Sequence, residues 1–200
     1  MIKWVVFDLG DVVLRATTAF GPLAELLTVA PDAFTAAYFE HRRAYDLHTD
    51  PAIFFTDVAR SSGAGRPDAA LIAELVRIDD LGWSVTDPDM LRLIEELHAA
   101  RISLAVLSNA PSSMGRLIEV QPWVGPFQHL LFSGDLGLMK PDAEIYRRLL
   151  AQLAVHADEV AFLDDRPDNI NGAIGVGIHG FVFKGATAAR ADLRGLGLPV

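Results

Sequence analysis

Apolar residues fall in short unbroken runs along the chain. Trp4-Val5-Val6-Phe7 is apolar at every position and stops at Asp8-Leu9-Gly10. A run of that length without alternation predicts a strand covered on both faces, as in a parallel sheet. Leu104 to Leu107 repeats the pattern and ends in Ser108-Asn109, and Val160 to Leu163 repeats it and ends in Asp164-Asp165. Leu130 to Phe132 and Gly180 to Phe183 are weaker runs of the same kind. Between the runs the spacing turns helical. Asp87-Pro88 supplies an N-cap and a first turn ahead of a stripe of Met90, Leu93, Ile94 and Leu97. Pro141 is expected to open a second helix, with Ile145, Leu149 and Leu153 inside, and residues 169–174 to begin a third. Strand, helix, strand in this order predicts right-handed crossovers and an α/β, doubly wound parallel sheet.

The stretch 15–84 breaks that rhythm. It holds no convincing strand but several helical stripes, among them Phe54 and Val58 after Asp50-Pro51, and Leu71, Leu75 and Ile78 after Pro67. About seventy residues is too long for a simple crossover. The expected organisation is a core of residues 1–14 and 85–200 with a small helical cap, 15–84, inserted into it. Ser61 to Gly65 is expected to be a turn inside the cap, and Gly185 to Val200 a last short helix with a loose end.

Composition narrows the partners. The formal net charge is −9 and the pI about 5.0, which argues against a basic nucleic-acid surface and against attraction to an anionic membrane. A small anionic substrate stays possible, because one metal ion reverses a local field. Cysteine is absent, which excludes disulfides, thiolate metal sites and cysteine nucleophiles. No apolar run approaches the roughly 20 residues a spanning helix needs. The start of the chain is short and soon charged, unlike a signal peptide. A cytoplasmic protein, monomeric or homodimeric, is expected.

The chemistry sits at the ends of the strongest runs: Asp8, Ser108-Asn109 and Asp164-Asp165. Ligands of open parallel sheets bind outside the carboxyl ends of the strands, so these clusters are expected to converge, although each alone is also ordinary turn composition. Lys140 joins them. The chain has 17 basic residues but only three lysines, Lys3, Lys140 and Lys184. A lysine at an expected helix start works against the helix dipole unless it faces carboxylates or a phosphate.

FDLGDVV, VLSNA, GLMKPDAEIY and FLDDRPDNINGA, in that order, resemble the four motifs of the haloacid dehalogenase-like hydrolase superfamily. The insert lies where one branch carries its cap, and the chain is similar to small bacterial sugar-phosphate phosphatases of the glucose-1-phosphate type. The resemblance covers nearly the whole chain. It implies a Rossmann-like core and hydrolysis of a small phosphorylated metabolite. Asp8 would be the nucleophile that forms an aspartyl-phosphate. Mg²⁺ would be held by Asp8, Asp165 and the Gly10 carbonyl. Ser108 and the backbone N–H of Asn109 would hold phosphate oxygens. Lys140 would offset charge with Asp164 orienting it, and Asn169 would support from behind.

Gly10 departs from that pattern, since most such phosphatases carry a second Asp there as general acid. Leaving-group protonation is what its loss affects, a contribution of roughly 10²–10⁴-fold. Asp11 is the nearest substitute, though its residue type equally suits a turn. A glycine turn could also hold backbone angles closed to Asp. The cap segment His41, Arg42, Arg43, Tyr45 and His48 is expected to supply specificity, with Arg42, Arg43 and Tyr45 as substrate contacts. His98, His129, His156 and His179 show no metal-ligand spacing. The alternatives are a 2-haloacid dehalogenase, whose branch usually has Tyr in place of Gly10, and a degenerate phosphate-binding module. A mutase most needs the missing Asp. A phosphonatase needs a cap lysine, and residues 15–84 contain none.

Overall fold

A computed structural model describes residues 1–15 and 17–200; residue 16, inside the expected insert, lies outside the described residues. In chain order the elements are β1 (Trp4–Phe7), α1 (Phe20–Leu27), α2 (Pro31–Leu47), α3 (Pro51–Ser62), α4 (Ala69–Gly82), α5 (Pro88–Ala99), β2 (Ser103–Ser108), α6 (Ser112–Glu119), β3 (His129–Phe132), α7 (Ser133–Leu136), α8 (Ala143–Leu153), β4 (Val160–Asp164), α9 (Pro167–Gly175), β5 (His179–Val182) and α10 (Ala186–Gly195). The five strands form one sheet in the order β3-β2-β1-β4-β5, every pairing parallel. This is a doubly wound, Rossmann-like α/β core.

The continuous apolar runs are explained by what covers them. Successive strand side chains point to opposite faces. Val5, Phe7, Leu104, Val106 and Leu163 therefore pack on one side, against Met90, Leu93, Ile94 and Leu97 of α5 and Leu193 of α10. Trp4, Val6, Ala105, Leu107 and Phe162 pack on the other, against Ile145, Tyr146 and Leu149 of α8 and Ile170 of α9. Asp87 caps α5 by accepting from the Asp89 N–H at 2.8 Å, a contact worth about 1 kcal/mol.

Three boundaries differ from expectation. Pro141 does not open α8: it follows Lys140 through a cis peptide bond, and the helix begins at Ala143 with Asp142 as its N-cap. Ser61 and Ser62 complete α3, and the turn starts only at Gly63, whose φ of 88° ends the helix. The C-terminal segment is not loose, because Leu198 is buried against the sheet-facing core.

Helices α1 to α4 share their own apolar cluster, built from Leu23, Phe34, Tyr38, Phe54, Phe55, Val58 and Leu75. The chain leaves for these helices and returns from them side by side. Leu14 bridges Thr86, the Arg15 N–H donates to the Val85 carbonyl at 2.8 Å, and the Asp87 N–H donates to the Val13 carbonyl at 2.9 Å. A second tie is Ser133, at the start of α7. Its hydroxyl donates to the Asp46 carbonyl near the end of α2 at 2.6 Å and accepts from the Ala110 N–H at 2.9 Å.

Candidate active site

Register brings the polar clusters together. Phe7 pairs with Val106 on one side and Leu163 on the other, so the next residues, Asp8 and Asp164, emerge side by side at the carboxyl edge. The Asp8 N–H continues the ladder to the Leu163 carbonyl at 2.9 Å. Beyond Asp8 the chain turns tightly around the Leu9 carbonyl, which accepts from the N–H groups of Val12, Val13 and Leu14. Asp11 holds a left-handed φ of 55° in that turn, a conformation Asp tolerates better than most residues.

Lys140 is no surface lysine. It is 1% exposed, and its ammonium lies 2.9 Å from Asp8 Oδ1 and 2.6 Å from Asp164 Oδ2. Asp164 is fully buried and its oxygens are taken: Oδ1 accepts from the Arg166 N–H at 2.8 Å and from the Asn169 amide at 2.9 Å, and Oδ2 from Lys140. The loop carrying Lys140 is pinned from two sides. The Asn109 side chain bonds both polar groups of the Lys140 backbone. Behind the loop, a Cβ on Gly172 of α9 would stand 2.5 Å from the Pro141 carbonyl oxygen, so glycine is what permits that approach.

The carboxylates are out of balance. Oxygens of Asp8, Asp164 and Asp165 lie within 4.8 Å of one another, with the Lys140 ammonium between two of them. Asp8 Oδ1 accepts from the Leu9 N–H at 2.7 Å. Among the described residues, no other residue donates a hydrogen bond to Asp8 Oδ2 or to the Asp165 carboxylate, whose one donor is its own backbone N–H. Burial pushes the Asp8 carboxyl up to about 7; the Lys140 ammonium opposes this and the Asp164 charge adds to it. Burial likewise raises Asp165, with the charges of Asp164 and Asp11 adding, and burial raises Asp11. Carboxylates crowded in this way call for a cation or a proton.

These groups open into a cavity of about 480 Å³, lined by Asp8, Gly10, Asp11, Ser108, Asn109, Lys140, Asp165 and Asn169 from the sheet side and by Arg42 and Arg43 from α2. Gly10 does not use a positive φ, so the turn does not require glycine there, and a Cβ would meet only Trp83 Cζ3, at 3.6 Å. Tyr45 needs correcting as a substrate contact. It does not reach this cavity but stacks on Phe54 within the α1–α4 cluster, ring centroids 4.0 Å apart. His41 bonds Ser61, and His48 ends α2 against Gly137, so neither lines the cavity.

Arg42 is placed as expected, with two of its three nitrogens engaged. Nε donates to Asp46 Oδ1 at 2.6 Å and Nη1 donates to the Tyr38 hydroxyl. That hydroxyl donates to Asp79 Oδ1 at 2.8 Å and accepts from the Trp83 indole N–H at 3.3 Å. The guanidinium also lies 5.6 Å from the Trp83 ring centroid. Sequence reasoning missed Trp83, Asp46 and Phe39, all of which line the cavity. Trp83 and Phe39 carry no polar motif, so only their place at the end of α4 and on α2 reveals them.

A parallel sheet in this order, with acidic and amide groups at its carboxyl edge, defines the class: a doubly wound α/β enzyme. Residues 2–177 match the haloacid dehalogenase-like hydrolase family, and the chain belongs to it. It is 31% identical over 120 residues to a chloroplast flavin mononucleotide hydrolase of Arabidopsis thaliana, covering 60% of this chain and 48% of that one. It is also 31% identical over 127 residues to a phosphoglycolate phosphatase of Rhodospirillum rubrum, covering 58% and 53%. The chain spans about half the length of the curated relatives it matches. The L-2-haloacid dehalogenase of Xanthobacter autotrophicus superposes with a TM-score of 0.74 at 19% identity, over 100% of this chain and 85% of that one. A family enzyme of Bacteroides thetaiotaomicron, solved with magnesium and inorganic phosphate, superposes with 0.69 at 18% identity, over 92% and 95%. Both likenesses are of fold. Among the described residues no helix is long and apolar enough to cross a membrane.

Proposed function

We propose that this chain is a Mg²⁺-dependent phosphomonoester hydrolase, with Asp8 as its nucleophile and residues 15–84 as a cap over the site. The observation that carries the reading is the pairing of a saturated Asp164 with an Asp165 to which no other described residue donates, beside Asp8. A haloacid dehalogenase needs no cation, whereas this donor set leaves surplus negative charge and free carboxylate oxygens.

The residues fit a hard divalent cation. Asp8 Oδ2, Asp165 and the Gly10 carbonyl would hold Mg²⁺ in an oxygen-only shell, the kind that ion prefers. Bound there, Mg²⁺ supplies charge stabilisation to the phosphoryl oxygens. The rest is the chain's own work. Asp8 attacks phosphorus in line, and the aspartyl-phosphate is then hydrolysed by water. Lys140 favours the ionised form of Asp8 and offsets phosphoryl charge, held in place by Asp164 and by the Asn109 clamp. Ser108 and the Asn109 N–H bind phosphoryl oxygens, and Asn169 fixes Asp164.

The test is release of inorganic phosphate from phosphate esters, with Mg²⁺ and with EDTA. EDTA is expected to abolish turnover and Mg²⁺ to restore it. Halide release from a 2-haloacid in EDTA, without phosphatase activity, would replace this reading with the dehalogenase one. Phosphate ester binding with neither activity would point to a degenerate binding module.

A further inference from the structure

The wall above the carboxylates sets two aromatic rings among charged groups that already have partners of their own. An attacked phosphoryl group expels its leaving group on the side away from Asp8, towards the residues contributed by α2 and the end of α4. Those residues are Phe39, Arg42, Arg43, Asp46 and Trp83, with Met114 beside them from the core. Each of the three charged ones has a partner of opposite charge. Arg42 and Asp46 neutralise each other within the wall, and the exposed Arg43 lies 3.5 Å from the exposed Asp142.

What the wall does offer is ring surface. Phe39 is 55% exposed although large and apolar, and it lines the cavity rather than a packed interface. Its ring is set edge-on to Phe20 and Tyr38, at 5.5 Å from each, which fixes its orientation. Trp83 is tethered through its indole N–H to Tyr38, so its polar atom is turned away and its ring edge faces Gly10. At that same place Gly10 has no carboxyl to give a proton to a departing oxygen.

Resting on the phosphatase reading, we infer that the substrate is the phosphate monoester of a planar, unsaturated hydroxyl, phenolic or enolic, with its ring or double bond held between Phe39 and Trp83. Such a group needs no acid. The Asp8 Oδ–phosphorus bond forms as the phosphorus–oxygen ester bond breaks. The electron pair stays on the leaving oxygen, where the π-system delocalises it. Water then adds hydroxide to phosphorus as the Asp8 bond breaks, its remaining proton passing to solvent and the Asp8 carboxylate being regenerated. The rings give the preference, and a leaving group that needs no acid makes the missing carboxyl tolerable. A hexose phosphate would leave its hydroxyls facing rings.

Binding separates recognition from leaving-group reactivity. Dissociation constants of the Mg²⁺-loaded wild-type protein are measured by calorimetry for phenylphosphonate and cyclohexylphosphonate, which are not hydrolysed. The aryl compound is expected to bind about tenfold more tightly, the scale of aromatic pairing. Phe39→Ser should shrink that ratio to about twofold. Phe39→Leu, which keeps apolar packing but removes the ring, should do the same if the serine variant melts early. Equal binding of the two phosphonates, or an aryl preference that survives both variants, overturns the inference. So does a kcat/KM for a hexose 1-phosphate equal to or above that for phenyl phosphate, with the phosphatase reading left standing. Hydrolysis of neither ester, alongside halide release from a haloacid, overturns both.

Discussion

Asn109 closes on the backbone of Lys140 from both sides: its amide nitrogen donates to the Lys140 carbonyl at 2.9 Å, and its amide oxygen accepts from the Lys140 N–H at 2.9 Å. The two residues are 31 positions apart, Asn109 just past the end of β2 and Lys140 in the loop between α7 and α8. The clamp sets the height at which the Lys140 ammonium meets Asp8 and Asp164. Removing it should cost turnover more than binding. Asn109→Ala is expected to lower kcat by about 10²-fold, the scale of a misplacement near 1 Å, with a smaller change in KM. Asn109→Asp, which retains the acceptor but not the donor, should fall between. Steady-state kinetics on both variants, with thermal melts, check this; a wild-type kcat in Asn109→Ala would assign Lys140's placement to Asp164 alone.

Asp8→Asn is the direct test of the nucleophile. The amide is nearly isosteric, but it cannot form the aspartyl-phosphate. Turnover is expected to drop about 10⁴-fold or more while the protein still melts cooperatively. The matching check is covalent: wild type quenched in acid during turnover of a ³²P-labelled ester should retain label on the protein, and Asp8→Asn should retain none. Label on another residue, or substantial activity in the variant, would move the nucleophile elsewhere.

The helices α1 to α4 carry a pH signature of their own. Burial lifts Asp80 to about 6, with the Asp79 charge adding and Arg42 opposing. Asp46 is lifted to about 6 by burial against the pull of Arg42, with Asp79 adding and Lys140 opposing. Asp79 is raised by burial against Arg42 and the Tyr38 hydrogen bond. A carboxyl whose folded pKa exceeds its unfolded value contributes stability that is present below the unfolded pKa, near 4, and lost as pH rises through the folded one. Metal-free Asp80→Asn should therefore melt near wild type at pH 4.5 and above it at pH 7.5. An identical wild-type-minus-variant difference at both pH values would mean that Asp80 is not held back from ionising.

Much of this was legible in the chain because the physics is local. A strand buried on both faces has to be apolar throughout, so Trp4–Phe7 and Val160–Leu163 announce themselves, and the polar residues after them mark the carboxyl edge. The resemblance of the four motifs then joined edges far apart in sequence. What escaped was set by partners at long range. Nothing near Arg42 says that Asp79, reached through Tyr38, will help hold it. Tyr45 lies three residues from Arg42, yet its ring turns into the helical cluster because Phe54 offers a stacking face there. Pro141 looked like a helix start because proline favours the first turn, but the Asn109 clamp holds the Lys140 backbone in a loop and delays α8 to Ala143. Leu198 looked like a free end because its packing partners belong to the distant sheet face.

Gly10 is where this chain departs from the motif pattern it resembles. A carboxyl at that position would be placed to protonate the departing oxygen, and here the position has no side chain while its backbone stays open to other residues. With no positive φ, and a Cβ only 3.6 Å from the Trp83 edge, Asp fits without backbone strain. Gly10→Asp is expected to raise kcat/KM on an alkyl phosphate by up to roughly 10²-fold and to leave nitrophenyl phosphate nearly unchanged, since nitrophenolate departs without a proton at neutral pH. The aryl-to-alkyl ratio should thus fall in the variant. The measurement is kcat/KM for both esters in wild type and Gly10→Asp, each shown to melt cooperatively. An unchanged ratio would mean that position 10 does not limit protonation, and would turn attention to Asp11. Burial raises that carboxyl, so it holds a proton to higher pH than an ordinary Asp. The turn points it into the same cavity as Asp8. If Asp11 is the donor, Asp11→Asn lowers the alkyl ester rate by about 10²-fold and spares the nitrophenyl ester. If both esters fall together, Asp11 shapes the turn through its left-handed φ, and water is the remaining source of the proton.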